Sequence, residues 1–446
     1  VVTLAATADQ GPWTADLSVR AANVILAQSQ WTLPGTRAEV HRLGAAWTGE
    51  AWKVRAGDFT AVLGRGLLLS VVRNEALLRD WSLRGARVVW QEGPWEAQVL
   101  VGRADNGLGR LPSLARTWSV AGLEASLAWK PGHRVGIRVC ALDDLRVPAR
   151  MRSRATGRRL AGSLSLSGSL LGGLLDYYGE GALVRYQDPP LVPPLPGALD
   201  PGRGRGAYGA LTWARGPWML QAEAKHYRRF DLDLNQPPVA DRETEKGTLD
   251  VADGARLYGQ RVFRDAGLTL FLSLGRYRQG RLTSAAAWRG SQAYGGFRLE
   301  GLGDALDASL THGVKTVHEA GAYPERRTEA ALTWRFTPAW SLALTFDGRA
   351  NRPPDSAPYR EDALTLEGAW VGRGALRIMR QSGTRSPGAP FGGRDLYSGG
   401  LRLELGRESH VDLSGGRWRG GEACSGGQCA ILPPFEGWRL EARFAF

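Results

Sequence analysis

Trp438-Arg439-Leu440-Glu441-Ala442-Arg443-Phe444-Ala445-Phe446 is the stretch that decides how this chain folds. Apolar Trp438, Leu440, Ala442, Phe444 and Phe446 alternate with Arg439, Glu441, Arg443 and the small Ala445. A period of two belongs to a strand with one oily and one wet face. Trp340, Leu342, Leu344 and Phe346 repeat it against Ser341, Thr345 and Asp347, and Leu401, Leu403 and Leu405 against Arg402 and Glu404. Trp218, Leu220, Ala222 and Ala224 do so against Gln221, Glu223 and Lys225, as do Leu123, Ala125, Leu127 and Trp129 against Glu124, Ser126 and Lys130. No comparable stretch repeats at 3.6, so the chain is expected to be all-β.

The connections alternate too. Tight turns are expected at Thr48-Gly49-Glu50, Glu92-Gly93-Pro94, Lys130-Pro131-Gly132, Gly172-Gly173, Arg215-Gly216-Pro217, Asp265-Ala266-Gly267, Gly303-Asp304, Thr337-Pro338, Gly372-Arg373-Gly374 and Arg407-Glu408. Longer polar stretches separate them, at 143–158, 187–203, 230–247, 279–287, 317–325, 350–361, 382–394 and 419–435. Short turn, long loop, short turn is the rhythm of a transmembrane antiparallel up-and-down β-barrel with long extracellular loops. Residues 13–446 then divide into about 22 strands, within a range of about 20–24, and residues 1–12 form a periplasmic lead-in. A β-propeller would need a blade repeat of about 40–50 residues, and none is found. Trp47, Trp52, Trp90, Trp95, Trp213, Trp218, Trp334 and Trp340 sit beside the short turns, where an aromatic girdle would meet lipid headgroups.

Composition agrees. The 446 residues include 59 Gly and 17 Trp, with 43% hydrophobic residues and no uninterrupted apolar run long enough for a membrane helix. The formal charge is +13, carried almost wholly by Arg, since Lys stands only at Lys53, Lys130, Lys225, Lys246 and Lys315. The Arg residues are spread singly among Asp and Glu rather than gathered in a tract, so no nucleic-acid partner is expected. No signal peptide is visible at Val1, so an exported chain is expected in its mature form.

The terminal strand, preceded by Glu436-Gly437, resembles the C-terminal signature strand of bacterial outer-membrane β-barrels, the porin-like superfamily. That resemblance implies a Gram-negative outer membrane, contact with the lipid bilayer, and recognition by the barrel-assembly machinery with Phe444 and Phe446 as the insertion signal. A second run, Gly57-Asp58-Phe59, then Gly64-Arg65-Gly66-Leu67-Leu68-Leu69-Ser70 and Leu83-Arg84-Gly85, is similar to a group of large outer-membrane barrels without a secure activity. Gly64 and Gly66 permit a sharp bend, and residues 67–72 are too apolar for an exposed loop. The segment either folds inward against the wall or is a plain strand with a glycine bulge.

Signals of catalysis are missing. His41, His133, His226, His312, His318 and His410 are scattered and read as solvent-facing or lumen residues. His318-Glu319 lacks the second ligand of a zinc-protease motif, and no P-loop or Gly-x-Ser-x-Gly elbow occurs. Gly204-x-Gly206-x-x-Gly209 matches a dinucleotide fingerprint but is read as a loop entering a strand. Hence no enzyme, cofactor or metal is expected. Cys424 and Cys429 read as a disulfide pinning the last long loop, leaving Cys140 alone. Arg20, Arg185, Arg335, Arg402, Arg439 and Arg443 are expected to line the pore with Glu124, Glu223, Glu404 and Glu441, biasing it toward anions.

Three readings remain open. The first is a large porin-like channel, in which an unobstructed lumen of this size would leak unless loops or a partner filled it. The second is a sleeve around a periplasmic multihaem cytochrome or lipoprotein, as in porin–cytochrome conduits, carrying electrons or cargo. An outer-membrane enzyme ranks last.

Overall fold

The computed structural model describes residues 2–22, 37–74, 79–80, 82–105, 117–144, 158–187, 202–230, 251–280, 288–303, 305–318, 322–352, 357–383, 395–406, 409–418, 421–425, 428–432 and 435–445, with 232, 234, 235, 238, 243 and 244. The wall opens with β1 (Val2–Gln10), β2 (Trp13–Ala22), β3 (Arg37–Thr48) and β4 (Trp52–Phe59). Four short strands follow off the wall: β5 (Ala61–Leu63), β6 (Leu69–Val71), β7 (Arg73–Asn74) and β8 (Arg79–Asp80). The wall resumes with β9 (Leu83–Glu92), β10 (Trp95–Asp105), β11 (Thr117–Lys130), β12 (His133–Asp144), β13 (Arg159–Leu170), β14 (Leu175–Tyr186), β15 (Arg203–Arg215) and β16 (Trp218–Arg228). After the short β17 (Glu243–Thr244) come β18 (Val251–Phe263), β19 (Leu268–Gly280), β20 (Trp288–Leu302), β21 (Leu306–His318), β22 (Ala322–Thr337) and β23 (Trp340–Asn351). The last are β24 (Tyr359–Trp370), β25 (Gly374–Gly383), β26 (Leu396–Gly406), β27 (Ser409–Trp418), the loop hairpin β28 (Gly421–Ser425) and β29 (Gln428–Leu432), and β30 (Phe435–Ala445).

Each wall strand is antiparallel to the next, with β4 joined to β9, β16 to β18 and β27 to β30. The ring closes where β1 lies parallel to β30, Val2 opposite Leu440 and Thr7 opposite Ala445. The sheet holds 23 strands, inside the expected range and one above 22. The additional strand is β1. Residues 1–12 are therefore not a lead-in among the described residues: β1 pairs with β2 without a break from Val2–Ala21 to Gln10–Trp13. An odd number of alternating strands leaves the first and last running the same way, so their seam has to be parallel. Closure leaves no edge, the condition for sheet to stand in hydrocarbon.

The outer face is apolar. On β19, Leu270, Leu272 and Leu274 are 43–52% exposed, while Ser273 between them is 2% exposed. A soluble protein would hide such rows; lipid accepts them. Eight of the ten expected tight turns fall between wall strands at one end of the ring, and Asp304 and Arg407-Glu408 of the other two lie outside the described residues. Exposed Trp52, Trp95, Trp129, Trp218, Trp334, Trp340 and Trp370 gather there. Trp340 stacks on Trp370 with ring centroids 4.9 Å apart, and Arg261 and Arg373 lie over Trp218 and Trp370. A ring of indoles with cations at one rim is the girdle the sequence suggested.

Candidate functional site: a partly filled lumen

The run from Gly57 to Gly85 folds into the barrel. β4 leaves the wall at Gly57-Asp58-Phe59, where Gly57 takes φ +98° and a side chain would strike the carbonyl oxygen of Leu43 at 2.1 Å. The buried Asp58 carboxylate locks this exit, accepting from the Leu43 backbone N–H at 2.8 Å and from Arg84 Nη2 at 3.0 Å. Arg84 stands where β9 rejoins the wall, so one ion pair ties the way out to the way back. Between them β5 and β6 form a hairpin, Ala61 opposite Val71 and Leu63 opposite Leu69. Of the two readings left open for this segment, the inward fold is the observed one.

The hairpin carries a core of its own. Leu63, Leu67, Leu68, Leu69 and Val71 are fully buried, packed with Leu100, Val120, Cys140, Leu142, Ala161, Ala182 and Val184 from the inner faces of β10–β14. Each fully buried aliphatic side chain contributes roughly 1.5–3 kcal/mol relative to exposure. A second inward segment braces it, for the Ser70 N–H donates to the Leu234 carbonyl at 2.7 Å and Asn235 Nδ2 to the Leu67 carbonyl at 3.0 Å. Gly204 and Gly206 let that segment approach: a side chain on Gly204 would meet the Arg229 carbonyl at 2.1 Å, and one on Gly206 the Phe230 ring at 3.0 Å. The three glycines of the nominal dinucleotide fingerprint thus lie within β15 rather than in a loop, and two of them, Gly204 and Gly206, make room in the lumen.

Polar groups run beneath the hairpin tip. Glu180, buried on β14, accepts from Ser163 Oγ at 2.7 Å and from Tyr178 Oη, and lies 3.4 Å from Arg138 Nη1. Arg138 Nε donates to Glu124 at 2.5 Å and Nη1 to Ser165 Oγ at 2.8 Å, while Gln98 Nε2 donates to Glu124 at 2.5 Å and to the Val62 carbonyl at 3.3 Å. The tip residue Arg65 lays its guanidinium 4.1 Å from the Tyr178 ring centroid, and its N–H points at Glu180 from 3.5 Å. Tyr208 Oη donates to Glu223 at 2.5 Å, and Arg256 Nε is 3.0 Å from the same carboxylate. A continuous ionic belt therefore follows the inner wall from β10 to β18.

Across the ring the inner face stays open. On β26 and β27, Arg402 lies 3.5 Å from Glu404 and 3.3 Å from Asp412, with side chains 34–45% exposed. Arg335 pairs with Asp307, and Arg439 shares the exposed inner face of β30. Glu124, Glu223, Arg335, Arg402, Glu404 and Arg439 thus face inward. Arg185 does not. It stands in the outward row with Leu183, which is 69% exposed, while Val184 and Tyr186 face in. At this end of the strand the outward row leaves hydrocarbon, where Arg can reach headgroups. The side chains of Arg20, Glu441, Arg443 and Phe444 and all of Phe446 lie outside the described residues; the Phe444 backbone pairs with Ala6.

His226 and His312 are exposed on outward rows, bonded to Asp253 and Thr328, whereas His133 is buried beside Tyr177 and is neither solvent-facing nor in the lumen. The backbones of Cys424 and Cys429 stand directly opposite each other in the β28–β29 hairpin, their side chains outside the described residues. Among the described residues no three His, Cys, Asp or Glu side chains converge as a metal requires.

No family model and no curated protein matches the chain. Among solved structures it is similar to the copper transporter OprC (12% identity, TM-score 0.49, 98% of this chain and 78% of that one). It is also similar to the siderophore receptor PirA from Pseudomonas aeruginosa (10%, 0.49, 91% and 72%) and to the P pilus usher PapC translocation pore (8%, 0.43, 97% and 92%). Likenesses this distant leave the fold to stand on its own strand pairing.

Proposed function

We propose that the chain is a transmembrane channel of a bacterial outer membrane whose lumen is narrowed by its own inner hairpin. The observation that carries this is the dry packing of Leu63, Leu67, Leu68, Leu69 and Val71 against one sector of the inner wall. Barrels of 16–18 strands already enclose an aqueous channel, and barrels of about 22 carry a plug. With 23 strands an internal obstruction is needed to prevent leakage, and residues 60–72 supply one. The opposite sector, lined by Arg402, Glu404 and Asp412, supplies a charged water path.

The inner hairpin also bears on the sleeve reading, since it takes up lumen that a multihaem cytochrome or lipoprotein would occupy. Planar-bilayer recording separates the two. The purified chain alone gives discrete conductance steps, and replacing residues 61–71 with a short Gly-Ser link enlarges them. A wild-type chain that seals the bilayer only when a co-purified haem protein is present, with unchanged conductance after the replacement, overturns the proposal in favour of the sleeve.

A further inference from the structure

On the outer wall, at the end carrying the long connections, the rows facing away from the lumen change from leucine to arginine. Along β19 the outward residues read Leu270, Leu272, Leu274, Arg276, Arg278. The register sets Arg278 between Asp253 of β18 and Arg289 of β20, and Arg276 between Ala255 and Ser291. These strands shape a shallow recess of 640 Å³ lined by His226, Asp253, Arg276, Arg278, Arg289 and Thr316 among others. Asp253 is the single carboxylate in its lining. Both its oxygens are engaged, by Arg228 at 2.8 and 2.7 Å and by His226 Nδ1 at 2.9 Å, so the recess presents mainly guanidinium.

Height decides what meets it. With a rise of about 3.4 Å per residue and a tilt of about 40°, Arg276 and Arg278 stand about 21 and 26 Å above Leu268, the top of an apolar band about 25 Å tall. An arginine there has its stem in hydrocarbon and its head among headgroups. We infer that the recess binds the phosphate of an anionic lipid in the leaflet facing the long connections. Arg276, Arg278 and Arg289 hold the phosphate, and Leu257, Leu270, Leu272 and Leu274 lie along its acyl chains. Arg suits the task, since its planar fork meets phosphate oxygens in pairs. A lipid is favoured over free phosphate because the outward leucine row begins one step along the strands, with Leu257 opposite Leu274 next to Ala255 opposite Arg276, and apolar contact adds to binding only for a ligand with tails. The inference rests on the membrane-spanning reading.

The test uses the full chain, folded in detergent or in zwitterionic nanodiscs and followed by native mass spectrometry. The probes are lipid A, a bis-phosphorylated glycolipid, the same lipid with its phosphates removed, and inorganic phosphate. Lipid A is retained, the dephosphorylated lipid and inorganic phosphate are not, and excess phosphate fails to displace lipid A. Losing three charge-assisted contacts in R276Q/R278Q/R289Q weakens retention by at least about tenfold. A control, R360Q/R380Q, removes outward arginines on β24 and β25 and leaves retention within about twofold. Both variants are compared with wild type for heat-modifiable gel mobility; if the triple variant fails to fold, R276Q and R278Q singly carry the comparison. Retention in the recess variants within twofold of wild type, equal loss in the control, or displacement by inorganic phosphate overturns the inference. A wild-type chain that does not insert into vesicles overturns the membrane reading instead.

Discussion

Glu180 on β14 and Arg402 on β26 sit nearly opposite each other on the ring, and both are charged residues of the inner face. None of the Glu180 side chain reaches water, whereas 45% of the Arg402 side chain does. Glu180 is caught between Arg138, Ser163, Tyr178 and the tip of the inner hairpin; among the described residues Arg402 is flanked by Glu404 and Asp412. The same ladder of strands has thus been used twice, once as the seat of a plug and once as the bank of a channel. A charge in the first place holds structure together, and a charge in the second acts on what passes.

Removing the plug is the largest perturbation of that contrast. Replacing residues 61–71 with a Gly-Ser link strips the cover from Leu100, Leu142 and Val184 and opens the filled sector to water. Conductance in planar bilayers is expected to rise several-fold, with the wall strands retained by circular dichroism. If conductance is unchanged, the filled sector does not limit flow and the contrast has no functional meaning.

Glu180→Ala comes next. It leaves Arg138, buried beside it, with Glu124 as its remaining carboxylate partner. Breaking a buried pair by removing one partner costs about 3–5 kcal/mol. Urea unfolding in lipid vesicles, read by Trp fluorescence, measures it; a loss below about 1 kcal/mol means that water reaches the belt. Leu68→Ala is expected to cost about 2–5 kcal/mol in the same assay, the range for a buried leucine that leaves a cavity.

Much of this was legible in the amino acids. The alternation at Trp340, Leu342, Leu344 and Phe346 gave the face of β23, and the ten turn signals gave the order of the wall. The footprint of the plug was legible too, in strands where alternation lapses. Val99-Leu100-Val101, Val139-Cys140-Ala141-Leu142 and Ala182-Leu183-Val184 are apolar on both faces, because one face meets lipid and the other meets the hairpin. β1 was missed because Val2-Thr-Leu-Ala-Ala-Thr-Ala offers small residues on both faces and no contrast between them. Arg185 shows that charge alone does not mark a lumen residue. Parity with Leu183 assigns the face, and the residue's distance along the strand determines whether lipid or headgroup lies outside.

The smallest effect on stability is expected from Arg402→Gln. Arg402 is 45% exposed and its partners 34% and 39%, so the pairs are screened by water and worth about 0–1 kcal/mol. Unfolding should therefore shift by less than about 1 kcal/mol. What changes is the field at the water path: removing one positive charge beside Glu404 and Asp412 leaves the local balance acidic. Under a salt gradient the reversal potential should move toward cation preference, with conductance nearly unaltered. The converse change, Asp412→Asn, should move it toward anions. A variant at Arg402 that costs as much stability as Glu180→Ala, or that leaves selectivity where it was, places the open sector under cover as well and abolishes the distinction between the two sides of the lumen.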